Sequence, residues 1–150
     1  MEQRKIALVY EKEDETETVQ LQETLGSLYD MEMCEIAGKN DLEQHYLRWT
    51  ESMPNMVITV NLAGFFWRNT GGNSMYSMLP VDTIHYLTRE VSGETEKLSG
   101  LIPVTMRFLV GSEGEKKRLE EDHRRLHNVI VISDIREITD ILEHMRWRRE

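Results

Sequence analysis

Apolar positions fall into two rhythms along this chain. KIALVY (Lys5–Tyr10) and MVITVNL (Met56–Leu62) are short, nearly unbroken apolar runs rich in Val and Ile. Runs of that length and composition read as strands buried on both faces, which belong to parallel sheets covered by helices. Elsewhere apolar residues recur every three or four positions, the period of a helix with one buried face. Met56–Leu62, preceded by Pro54 and Asn55, is the strand around which the other elements are expected to gather.

Taken in order, the remaining segments alternate. Asp14 and Glu17 have capping-box spacing, which predicts a helix from about Glu15 with Val19, Leu21, Leu25 and Leu28 inward. Met31–Ala37 alternates, and with Glu32 and Glu35 within it predicts an edge strand, less buried than the first. Asn40 and Glu43 repeat the capping spacing before a helix that carries Leu42, Tyr46, Trp49 and Met53 on one side and stops at Pro54. After a long irregular segment, Pro80 opens a predicted third helix with the stripe Val81, Ile84, Leu87 and Val91. Leu101–Val110 predicts a fourth strand, Glu115–His127 a sparsely apolar helix and Val129–Ile132 a fifth strand. Asp134 caps a last helix, with Glu137 at the reciprocal position and Ile135, Ile138, Leu142 and Met145 inward. Five strands alternating with five helices imply parallel pairing and right-handed crossovers. The expected fold is a single α/β domain over residues 1–150, a three-layer sandwich on a five-stranded parallel sheet of flavodoxin-like (Rossmann-like) order 2-1-3-4-5.

Charge narrows the range of partners. The net charge is -9, and residues 1–50 hold 12 acids against 5 bases, whereas residues 101–150 hold 10 of each. An acidic front half disfavours nucleic acid, which requires a basic footprint. No stretch approaches the roughly 20 apolar residues of a membrane span, and MEQRKIALVY lacks the apolar region of a signal peptide. The single cysteine, Cys34, rules out an internal disulfide and sits in a predicted strand as a buried, inert thiol. The expectation is a cytoplasmic protein that contacts neither membrane nor nucleic acid.

The turn after the first strand, Glu11-Lys12-Glu13-Asp14-Glu15, has no glycine-rich phosphate loop, and its carboxylates would repel a bound flavin or dinucleotide phosphate. Response-regulator receivers share the expected topology but need an Asp ending the third strand and a Lys ending the fifth. Asn61 and Ser133-Asp134 stand there instead, which excludes phosphotransfer. His123 and His127, with Glu120 a turn earlier, have metal-ligand spacing, yet on so charged a helix they read as a polar outer face. His45 and His85 read as boundary or interior histidines. No metal and no cofactor is assigned, and no spacing ties a nucleophile to a base.

What remains is Asn61–Ser74, a long segment at the carboxyl end of the central strand, where open α/β sheets bind ligands. Arg68 offers a donor fork for carboxylate or phosphate. Gly71, Gly72, Asn73 and Ser74 can present successive backbone N–H groups to an anion, and Phe66 or Trp67 can stack on a base or sugar. Asn61, with Glu11 or Glu13 across the neighbouring strand end, can bond hydroxyls or serve as an acid–base group. The functional reading is a small-molecule-binding domain for a nucleotide or a phosphorylated or nucleotide-linked sugar. The alternatives are that the aromatics simply plug the end of the sheet, or that the chain is a non-enzymatic adaptor, or degenerate receiver-like domain, that docks a protein partner through residues 61–74. None of these readings fixes a reaction or an oligomeric state.

Overall fold

The two unbroken apolar runs form adjacent parallel strands. β1 (Lys5–Tyr10) pairs with β3 (Met56–Val60) from Ile6 opposite Met56 to Val9 opposite Thr59. Every residue of β3 is buried, as are all of β1 beyond Lys5. β2 (Asp30–Glu35) lies on the other side of β1, in parallel, and forms an edge of the sheet, with Cys34 its one buried residue. The computed structural model describes residues 3–62, 82–88, 106–122, 129–145 and 147.

One expected helix is a strand. Asp82–Leu87 forms β4, paired in parallel with β3 from Met56 opposite Asp82 to Val60 opposite Tyr86. Ile84 and Leu87 are therefore core residues of a strand rather than points on a helical stripe, while Pro80, Val81 and Val91 lie outside the described residues. The physical reason is local composition. Thr83, Ile84, Tyr86 and Thr88 are β-branched or aromatic and fit a pleated, buried surface, and the polar Asp82, Thr83 and His85 hide an otherwise strand-like run. β5 (Met106–Val110) pairs with β4, and β6 (Val129–Val131) with β5. The sheet thus has six parallel strands in the order β2-β1-β3-β4-β5-β6, which extends the flavodoxin-like order by one strand.

Side-chain alternation sends one apolar set to each face. Ile6, Leu8, Tyr10, Met56, Ile58, Val60 and Ile84 meet Leu21 and Leu25 of α1 (Glu15–Leu25) on one face. Ala7, Val9, Cys34 and Val57 meet Leu42, Tyr46 and Trp49 of α2 (Lys39–Glu51) on the other. Trp49 is wholly buried, as its place in the stripe predicts, and Met53 is half-buried beside it. In α1, Val19 is only half-buried and Leu28 is 41% exposed, because the helix ends at Leu25 and Thr18 takes the inward place ahead of Leu21. α3 (Glu113–Asp122) follows β5, with Ser112 Oγ accepting from the Glu115 N–H at 3.2 Å. α4 (Glu137–His144) packs Ile138 and Leu142 against the α1 face, with Ile135 and Met145 at its margin. Beyond it, the Trp147 indole N–H donates to the Leu142 carbonyl at 2.9 Å, its ring stacking on Tyr29.

The helix starts separate real caps from apparent ones. Glu137 Oε2 accepts from the Asp134 N–H at 2.9 Å, and Asp134 Oδ1 accepts from the Arg136 N–H at 2.9 Å, so the reciprocal cap exists before α4. α2 starts at Lys39, two residues earlier than the Asn40–Glu43 spacing implies, and Asp41 reaches back to the Ala37 N–H at 2.7 Å. Asp14 makes no capping hydrogen bond to α1, because its carboxylate is committed elsewhere.

Candidate functional site

Strand order reverses between β1 and β3: β1 connects leftward to β2, and the chain after β3 proceeds rightward to β4. Connections that diverge in this way leave a crevice beyond the carboxyl ends, the usual ligand position in such sheets. A short 3₁₀ turn, Lys12–Asp14, follows β1 on one side of this crevice, and Asn61 follows β3 on the other.

Asn61 binds the two sides together. It is buried, and its φ of 54° is the single positive value among the described non-glycine residues. Its amide nitrogen donates to Asp14 Oδ1 at 2.9 Å and to Thr88 Oγ1 at 2.8 Å, while its Oδ1 accepts from the Thr88 N–H at 2.8 Å. Its own backbone N–H donates to the Tyr86 carbonyl at 2.8 Å. One side chain thereby links the segments after β1, β3 and β4. Among the described residues, both amide hydrogens are spent and Oδ1 takes one of its two possible bonds. Asparagine tolerates the left-handed backbone better than other residues that carry a Cβ, so sequence and conformation agree here. Asp14 is buried as well, and its backbone carbonyl accepts from Thr18 Oγ1 at 2.7 Å.

Thr88 also borders a cleft of about 180 Å³ at the carboxyl ends of β4, β5 and β6, lined with Tyr86, Leu87, Gly111, Ile132 and Ser133–Ile135. That is below the roughly 300 Å³ of a typical ligand pocket. Its rim is ionic: the Arg136 guanidinium holds the Asp134 carboxyl down to about 2, and backbone N–H groups of Asp134 and Ser133 lower Glu137.

Of the residues singled out by sequence, Asn61, half-buried Glu11 and exposed Glu13 flank the crevice. Phe66, Trp67, Arg68, Gly71, Gly72, Asn73 and Ser74 lie outside the described residues, as do His123 and His127. Two residues were missed. Asp14 has the spacing of a helix cap, which disguised its role, and Thr88 was hidden by the helical reading of β4. In receiver terms the third strand is followed by Asn61 and the fifth by Gly111, so the acceptor carboxylate and the lysine are still lacking. His85 is an interior residue, its Nδ1 2.6 Å from Thr59 Oγ1, and burial pushes its imidazole down to about 3. Burial likewise pushes the Cys34 thiol up to about 12. No helix among the described residues is long and apolar enough to cross a membrane.

Compared with protein-family models, curated proteins and solved structures, the chain matches none.

Proposed function

We propose that this domain binds a small anionic molecule, a nucleotide or a phosphorylated or nucleotide-linked sugar, over the crevice between the carboxyl ends of β1 and β3. The observation that carries the reading is the buried, left-handed Asn61 tying three strand ends together at the point of strand reversal. Backbone strain held in place by surrounding contacts clusters at functional sites, and this instance lies where the topology opens a crevice. In this reading Asn61, Asp14 and Thr88 form a rigid floor, and the second lone pair of Asn61 Oδ1 accepts a ligand hydroxyl. Glu11 and Glu13 supply further hydroxyl contacts or acid–base groups. Arg68 and the backbone of Gly71, Gly72, Asn73 and Ser74 hold the anion, and Phe66 or Trp67 stacks on the base or sugar.

The test is a thermal-shift screen with nucleoside diphosphates, sugar phosphates and nucleotide sugars. A ligand present at about 100 times its Kd adds roughly 2.7 kcal/mol, a rise in melting temperature of several degrees for a chain of this size. No shift from any of these compounds overturns the reading. If Trp67→Ala then abolishes capture of a protein partner, the adaptor reading replaces it.

A further inference from the structure

Glu32 and Cys34 stand two residues apart on β2 and so face the same side of the sheet. α2 lies over that side, with His45 and Arg48 about one turn apart. A carboxylate oxygen of Glu32, Sγ of Cys34 and a ring nitrogen of His45 all lie within 4.8 Å of one another. A single atom, Arg48 Nη2, meets all three: it donates to Glu32 Oε1, lies 2.7 Å from His45 Nδ1 and 3.9 Å from Cys34 Sγ. The second carboxylate oxygen, Glu32 Oε2, is shut off from solvent without a hydrogen bond, with Lys5 Nζ 3.7 Å away. One positive centre is thus surrounded by an oxygen, a nitrogen and a sulfur.

We propose that Glu32, Cys34 and His45 form a binding site for a divalent transition metal of the zinc class, and that the Arg48 guanidinium occupies its place until the metal displaces it. The donor set selects the class. Carboxylate, imidazole and thiolate are zinc's ligand types, and three protein ligands leave a fourth position for water. Calcium and magnesium take oxygen ligands and are disfavoured here. Bond lengths of about 2.0–2.3 Å to zinc place tetrahedral donors roughly 3.5 Å apart, so the group has to close by about 1 Å. Rotations of the half-buried Glu32 and His45 side chains supply that movement while Cys34 stays fixed in the core. The Arg48 side chain is 52% exposed and can swing into solvent without unpacking α2, which Leu42, Tyr46 and Trp49 anchor. On binding, the Cys34 S–H bond breaks, its proton goes to solvent and the sulfur–metal bond forms, with no change of oxidation state.

Cobalt(II) titration of the purified full chain tests this. Binding is expected to produce a thiolate-to-cobalt charge-transfer band that zinc abolishes by competition. Cys34→Ser should remove the band, and His45→Gln should weaken cobalt binding by at least about 10-fold. Arg48→Gln should tighten it by about 10-fold or more, because a like charge no longer competes for the centre. A purely structural arginine gives the contrary pattern: no band in the wild type and none in Arg48→Gln. That pattern, or a band that survives in a folded Cys34→Ser, overturns the proposal. If Cys34→Ser does not fold, the opposite effects of Arg48→Gln and His45→Gln, neither of them a fully buried residue of α2, decide it.

Discussion

Between β3 and β4, Thr59 and His85 are sealed in as a neutral pair. Thr59 Oγ1 lies 2.6 Å from His85 Nδ1, both side chains are buried, and burial pushes the imidazole so low that it carries no charge near neutral pH. At the β2 edge the same residue type has other company. His45 is half-buried and shares the half-exposed, charged Arg48 with Glu32 and Cys34. The difference follows from solvation. A charge in the middle of the sheet would lose its hydration with nothing to replace it, so a neutral hydrogen-bonded pair such as Thr59–His85 is favoured there. At the edge water remains within reach, and one cation can exchange for another. The contrast is between a sealed centre and an edge whose charged groups stay within reach of water.

The sharpest challenge to that contrast concerns what fastens the edge. If α2 were held to β2 mainly by its ions, the apolar residues beneath would matter little. Trp49 is wholly buried in the apolar cluster under α2, so Trp49→Ala should lower stability by about 3–5 kcal/mol in chemical denaturation. A loss below about 1 kcal/mol would mean that the ions fasten the edge.

Next in size is acid sensitivity at the centre. The folded pKa of His85 is depressed to about 3, so the unfolded chain binds its proton first. The stability this histidine permits is complete above about pH 6.5 and is lost as pH falls toward 3. Between pH 6.5 and 4.5 the loss should be roughly 2–3 kcal/mol, read as the difference in denaturation free energy between wild type and His85→Gln across that range. Equal slopes for the two proteins would show that the imidazole is not held neutral in the core. His45 is also lowered, by burial and then by Arg48, so a smaller loss of the same sign should persist in His85→Gln.

Asn61→Ala should cost on the order of 2 kcal/mol, since it removes the hydrogen bonds to Asp14 and Thr88 and places an alanine at a left-handed φ. Asn61→Gly relieves only the backbone part and should fall between wild type and Asn61→Ala. The smallest effect belongs to the edge: Arg48→Gln should change stability by no more than about 1 kcal/mol, as exposed ion pairs do. A larger loss would make the arginine a structural brace and erase the contrast between the two regions.

The chain reveals its centre better than its chemistry. β1 and β3 are legible because strands buried on both faces must be apolar throughout, and β2 because Glu32 and Glu35 interrupt an edge. β4 misleads because its apolar residues, Ile84 and Leu87, sit three apart as on a helix, while His85 between them is polar yet buried through its contact with Thr59. Such a pairing exists only once β3 lies alongside. Asp14 misleads for a similar reason: its spacing to Glu17 is that of a cap, and the residue that diverts its carboxylate is 47 positions away. Glu32, Cys34 and His45 share no local motif either, because a strand and a helix bring them together. Local periodicity reports which face is buried, whereas long-range hydrogen bonds decide where the polar groups converge.

The central claim is that a small anion binds over the β1–β3 crevice, and amide chemical-shift mapping on addition of a nucleoside diphosphate tests it most directly. The account predicts perturbations at Glu11–Asp14, Asn61, Leu62 and Thr88, with Lys5, Asn55 and Asp82 at the opposite end of the strands unmoved. A spectrum that does not change, or one whose changes are confined to β2 and α2, would contradict it.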